Sequence, residues 1–229
     1  MIFRIEIRFL RKGKGREKDR YNSYQKKYID FEKYIKKGDK VLDIGSGQHP
    51  FPLATHLADF YETDTSHRAG ELVKDERPFT VCNIEKMPFK DKEFDFIFCS
   101  HILEHTENPA RACDEIMRIG RKGYIETPTR TSDTIFNIEK GERHHKWYIN
   151  IAGNTLIFVE YSERERGDTD FTYIAEQFQS FFKNPIQDFV YNNRDLFVNM
   201  FLWEEKFNYY VFDKYGNLIG FRKDDQFSR

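Results

Sequence analysis

The chain has 229 residues, enough for one α/β domain with its own core. Its 37 basic and 38 acidic residues nearly cancel, which excludes a global electrostatic pull toward nucleic acid or membrane. No run is long and apolar enough for a transmembrane helix, and Cys82, Cys99 and Cys113 lack paired spacing, so they read as small buried residues in a reducing compartment, with the cytoplasm as default.

Residues 1–10 alternate loosely between apolar and charged, as a strand or the start of an amphipathic helix. Arg4, Glu6 and Arg8 interrupt any signal-like apolar region. Residues 11–20 are a basic, charged run. It reads as a solvated tail, or as a peripheral contact with an anionic membrane or acidic substrate. Residues 24–37 carry Tyr28, Phe31 and Ile35 at helical spacing. A strand over 40–44 then runs through Asp43 into Gly45-Ser46-Gly47.

An apolar strand ending in an acid and two spaced glycines lets the backbone turn sharply and a ligand approach closely. A dinucleotide site would need N–H groups of a helix N-terminus aimed at a pyrophosphate. Here Gln48-His49-Pro50-Phe51-Pro52 follows. His49 stands at the third-glycine position, and the two prolines have no N–H to offer. Asp43 would repel an anion. The same carboxylate suits a ligand with a cationic amino acid end, such as S-adenosylmethionine, which carries an ammonium, a sulfonium and no phosphate.

The pattern then predicts a crossover helix over 51–57 and a second strand over 58–61. An acid about twenty residues after the glycine turn is the ribose-hydroxyl position of a nucleotide-binding unit. Asp64 sits there, with Glu62 as the lesser candidate. A third strand over 81–82, a fourth over 94–99, a helix over 108–119 and a fifth strand over 123–128 follow. This alternation argues for a parallel sheet with helices on both faces.

The glycine motif, the segment Asn83 to Phe89 with its Met87-Pro88-Phe89, then Phe94-Asp95 and Leu103-Glu104-His105 come in order. Residues 39–128 thereby resemble the class I S-adenosylmethionine-dependent methyltransferases, in the branch with an LPF…FD…LEH pattern. The resemblance implies an α/β fold: a Rossmann-like three-layer sandwich with a mostly parallel sheet, plus a C-terminal extension containing β-hairpins. It implies S-adenosyl-L-methionine as cofactor, held by Asp43, Gly45, Gly47, Asp64, Asn83, Ile84 and Ser100. Asn83 replaces the family's usual adenine-contacting aspartate; Ile84 adds apolar contact. Ligands of open α/β sheets sit at the carboxyl ends of strands. Ser100 and His101, after the fourth strand, therefore face the methyl group, and His101 is the candidate general base. His105 reads as structural, satisfying backbone groups near a helix start.

Residues 101–105 also spell H-x-x-E-H, an inverted zinc-protease signature that needs both histidines on one helix face. Glu176 could supply a third ligand. Asn108-Pro109 disfavours a long helix through the motif, so the reading adopted has no metal.

After residue 128 the pattern predicts hairpins around Ala152-Gly153 and Tyr215-Gly216-Asn217, and a helix over 172–182. His144 and His145 lie where substrate-binding insertions occur and are candidate substrate contacts. The chain reads as one domain: a basic segment and helix (1–37), a cofactor-binding core (38–128) and a substrate-side extension (129–229). The expected activity is methyl transfer to a small-molecule or glycan-type acceptor, with no nucleic-acid partner. The rival reading is a non-catalytic cofactor-binding or scaffold protein of the same fold.

Overall fold

Strand β1 (Val41–Ile44) is buried along its whole length because it lies between two parallel neighbours, β2 (His56–Asp59) and β4 (Phe94–Ser100). The computed structural model describes residues 28–63, 71–136, 145–166 and 193–224. Beyond β2 lies β3 (Phe79–Val81), and beyond β4 lies β5 (Gly120–Pro128), both parallel. The far edge is closed by β8 (Val198–Glu204), antiparallel to β5. The order is β3-β2-β1-β4-β5-β8, a mostly parallel six-stranded sheet in an α/β fold. A second sheet, ordered β10-β9-β7-β6, is built from β6 (Trp147–Ile151), β7 (Thr155–Glu160), β9 (Asn208–Phe212) and β10 (Leu218–Arg222).

Strand residues alternate between faces, and both faces are apolar, as burial on both sides demands. Leu42, Ile44, Ile97, Cys99 and Ile125 face a core shared with helix α1 (Pro109–Ile119) and with Trp147, Leu156 and Tyr209 of the second sheet. Val41, Phe96, Phe98 and Tyr124 face the other way and are covered by Phe31, Phe51 and Ala54. The helix α1 starts where Asn108 accepts a hydrogen bond from the Arg111 N–H (3.1 Å) and Pro109 needs no donor partner. Its buried stripe is Ala112, Cys113, Ile116, Met117 and Ile119.

The sequence expectations need several corrections. Residues 51–57 are not a helix. They form a turn, closed by the Ala54 N–H on the Phe51 carbonyl (3.0 Å), and strand β2 already begins at His56. Pro50 and Pro52 account for this, since prolines two apart remove consecutive helical donors. Residues 45–55 thus make a parallel crossover without a helix. Of the helix expected over 24–37, the described part holds only a 3-10 turn, Phe31–Lys33. Both hairpins are present, with Gly153 (φ +59°) and Gly216 (φ +85°) in the left-handed conformation their turns require. Strand β8 and the short helices α2 (Arg130–Phe136) and α3 (Glu163–Arg166) were not expected. Strand β8 means that residues 129–229 also supply the last strand of the main sheet. The basic run 11–20 and the helix over 172–182 lie outside the described residues.

Cys82, Cys99 and Cys113 are all free thiols. Among the described residues no helix is long and apolar enough to cross a membrane.

Candidate functional site

The turn after β1 is held by strand β2. The Gly45 and Ser46 N–H groups both donate to the Ala58 carbonyl (2.8 and 3.1 Å), and the Gly47 N–H donates to Asp59 Oδ2 (3.0 Å). All three amides are therefore engaged within the protein. With no helix beginning at residue 51, the turn presents no helix N-terminus either, so nothing here grips a phosphate. Gly45 has φ +73°, and a Cβ there would sit 2.0 Å from Ile102 Cδ1. The glycine is required both for its conformation and for that close approach.

Oxygens surround this turn instead. Asp43 is buried, and Oδ2 accepts the Phe51 N–H at 2.7 Å. Burial pushes its carboxyl up to about 7, against the opposing pull of that hydrogen bond and of Arg77. Arg77 keeps the residue 51–54 turn in place by donating to the Phe51 and Ala54 carbonyls (2.9 and 3.2 Å). Ser46 Oγ and Gln48 Oε1 are buried without a hydrogen-bond partner. Unsatisfied buried oxygens of this kind are uncommon and call for an occupant with donors.

The carboxyl end of β2 carries Asp59, not Asp64. Asp64 lies outside the described residues, and Glu62 is exposed and paired with Lys74. Sequence reasoning missed Asp59 because the twenty-residue spacing assumes a crossover helix that this chain replaces with a short turn. At the end of β3, Asn83 Oδ1 accepts the Glu85 N–H (2.8 Å) and shapes its own turn, while Ile84 is buried beneath. What Asn83 has to offer a ligand is its amide N–H pair.

Strand β4 ends at Ser100, beside Glu126 of β5. His101 follows with φ +58°, which swings the imidazole between two buried carboxylates. Its Nδ1 lies 3.3 Å from Glu104 Oε1 and its Nε2 3.2 Å from Glu126 Oε1. Burial alone would lower the pKa of this ring, but the two carboxylates outweigh it and raise the value to about 9. Glu126 is also bound by Arg194 (2.9 Å) and by the Tyr124 hydroxyl (2.5 Å). Burial would raise the Glu126 carboxyl, but His101, Arg194 and Tyr124 together hold it at about 2. His101 is therefore a cation at neutral pH. An imidazolium has no lone pair with which to take a proton, so the expectation of a general base does not fit its surroundings.

His144 lies outside the described residues. His145 is buried, its Nδ1 2.8 Å from Asp133 Oδ1, and Asp133 Oδ2 accepts the Tyr161 hydroxyl (2.7 Å). The expected pair of substrate contacts is thus represented by a residue turned inward. The segment Leu103–His105 is a single 3-10 turn, too short to set His101 and His105 on one helix face, and Glu176 lies outside the described residues.

Residues 42–125 match the family described as a methyltransferase domain. A curated relative in Schizosaccharomyces pombe, described as an uncharacterised methyltransferase, is 28% identical over 109 residues, which is 40% of this chain and 39% of the relative. An uncharacterised protein of Methanocaldococcus jannaschii is 32% identical over 105 residues, 45% of this chain and 46% of the relative. The chain spans less than half the length of these relatives. Among solved structures, a protein from Pyrococcus horikoshii is similar over 84% of this chain and 92% of its own, at 16% identity and TM-score 0.47. A structure described as an S-adenosylmethionine-dependent methyltransferase, from Methanosarcina mazei, covers 55% of this chain and 72% of its own, at 17% identity and TM-score 0.38. The domain match implies S-adenosylmethionine as the cofactor.

Proposed function

We propose that this chain binds S-adenosylmethionine at the carboxyl ends of β1, β2, β3 and β4 and transfers its methyl group to an acceptor held on the side of residues 129–229. The observation that carries this reading is the turn after β1. Its three amides are engaged by β2, and the groups around it are oxygens: Asp43, Ser46 Oγ and Gln48 Oε1. An ammonium has donors for such oxygens and stabilises the ionised form of Asp43; a phosphate has neither property. Asp59, at the end of β2, takes the ribose-facing position that spacing assigned to Asp64. Asn83 and Ile84 would flank the adenine. Ser100 stands nearest the transferred group.

The cofactor supplies an electrophilic methyl carbon on a sulfonium. The acceptor's oxygen, nitrogen or carbon forms the new bond as the carbon–sulfur bond breaks, and the electron pair stays on a neutral thioether. What the protein contributes is alignment of donor and acceptor and exclusion of water. His101, already protonated, donates hydrogen bonds and fixes the two carboxylates; the acceptor's proton leaves to solvent or to a group the acceptor brings. A small-molecule or glycan-type acceptor fits the near-neutral charge balance of the chain. One observation favours the second reading, a non-catalytic cofactor-binding protein: the histidine best placed for proton transfer is not free to accept a proton.

Calorimetry with S-adenosylmethionine, its demethylated product and NAD tests the binding. The first two should bind and NAD should not; folded protein that binds neither overturns the proposal. Incubation with cell extract, read as the gain of one methyl by mass, separates the enzyme from the binding protein.

A further inference from the structure

Glu104 and His105 are neighbours on the turn after β4, and His145 reaches them from the segment that enters β6. One potential ligand atom from each lies within 4.8 Å of the other two. Glu104 Oε1 is 3.9 Å from His105 Nε2, and the two imidazole rings meet edge to face with centroids 4.8 Å apart. The backbone holds these segments together: the Lys146 N–H donates to the Glu104 carbonyl (2.8 Å), and Trp147 Nε1 donates to the Thr106 carbonyl (2.7 Å).

Two further observations point to a ligand at this place. Glu104 is completely buried, and neither of its oxygens receives a hydrogen bond of good geometry. A carboxylate in that state is costly to bury unless a cation meets it. His145 gives its Nδ1 to the buried Asp133, which is itself fixed by the Tyr161 hydroxyl. A carboxylate behind one ring nitrogen is how proteins orient a histidine whose other nitrogen binds metal.

We infer that Glu104, His105 and His145 form a binding site for one divalent transition-metal cation of the zinc type, with Asp133 as the outer group that orients His145. Two imidazoles and a carboxylate suit zinc or its first-row neighbours better than calcium or magnesium, which prefer all-oxygen sets. With Nδ1 on Asp133, Nε2 is the His145 nitrogen that the cation takes. Tetrahedral bonds of about 2.1 Å place ligand atoms about 3.4 Å apart, so the three must close by up to about an ångström. His105, whose side chain is 36% exposed, can supply that movement by rotation. The same exposure leaves the fourth position facing solvent. The site differs from the H-x-x-E-H pattern of the sequence: His101 is drawn away to Glu126, and the third ligand comes from forty residues further on. It is independent of the methyl-donor reading, because none of its ligands belongs to the turn after β1.

The test uses the full chain, stripped with a chelator and titrated with zinc against a chromophoric competitor, then with cobalt for its visible spectrum. One equivalent should bind, with a cobalt spectrum of a four- or five-coordinate nitrogen–oxygen site. His105→Ala and His145→Ala should each weaken zinc binding at least a hundredfold, and Asp133→Asn about ten- to a hundredfold. His105 is exposed, so its variant reports on the metal even if His145→Ala unfolds. No stoichiometric zinc, or zinc held equally well by His105→Ala and Asp133→Asn, overturns the inference. Loss of zinc on His49→Ala in place of these does the same. Calorimetry with S-adenosylmethionine on the same stripped protein keeps the two readings distinguishable.

Discussion

The two faces of the main sheet are closed in different ways. One is covered by regular structure: helix α1 and the second sheet lie over Leu42, Ile97 and Ile125. The other, among the described residues, is closed by rings. Phe51 stacks on Phe98 (4.0 Å between centroids, planes 2° apart), and Phe31 meets Phe51, Phe96, Phe98 and Tyr124 edge-on at 5.1 to 6.2 Å. The first face spreads its burial over many aliphatic side chains. The second concentrates it in one ring, Phe31, supplied by a 3-10 turn. The same economy replaced the crossover helix after β1, and that replacement is what left the glycine turn without a helix N-terminus. How a face is covered has therefore shaped what the adjoining site can bind.

The contrast is open to direct attack. Phe31→Ala should lose about 4 kcal/mol, the range for truncating a buried phenylalanine. Denaturant unfolding should show this to exceed the loss for Ile116→Ala on the helical face; equal losses would mean that the aromatic face is not so concentrated. At the edge of the sheet, where the faces meet, His101→Ala leaves Glu104 and Glu126 without their shared cation and should cost about 3 kcal/mol. His101→Lys should recover part of that loss, as measured by thermal unfolding.

Asp43 lies on the aromatic face and gives a pH signature. Its carboxyl is raised from 3.8 to about 7 in the folded chain. Stability from its protonated form is complete below about pH 4 and lost as pH rises through about 7, so Asp43→Asn should flatten that decline. A cationic ligand requires the carboxylate, so affinity for S-adenosylmethionine should rise about tenfold per pH unit below 7 and level off above it. Calorimetry in buffers of different ionisation enthalpy would detect the released proton; a flat profile would separate Asp43 from the ligand. The smallest effect belongs to the helical face. Asn108→Ala removes the cap of α1 and should cost about 1 kcal/mol.

Much of the sheet was legible because its signals are local. The run 41–47, the apolar strand near 94–99 and the capped stripe of α1 each carry their pattern within a dozen residues. The failures share a cause: each depended on something distant. The helix expected over 51–57 counted apolar residues and gave too little weight to Pro50 and Pro52. Asp59 was overlooked because a typical crossover length was assumed. Strand β8 shows only a broken alternation of burial, and what makes it a strand is the open edge of β5. His145 reads as a surface histidine beside His144, and only Asp133 and Tyr161, brought in from both sides along the chain, turn it inward.

The contact between Gly45 and Ile102 carries an evolutionary corollary. The isoleucine tip fills the volume that any side chain at position 45 would need. Sequence drift at either place is therefore policed by the other: a bulkier 102 pushes on the bend, and a smaller one opens a hole beneath it. Descendants of this chain should change the two positions together or leave both alone, a pairing that would surface as covariation between segments more than fifty residues apart.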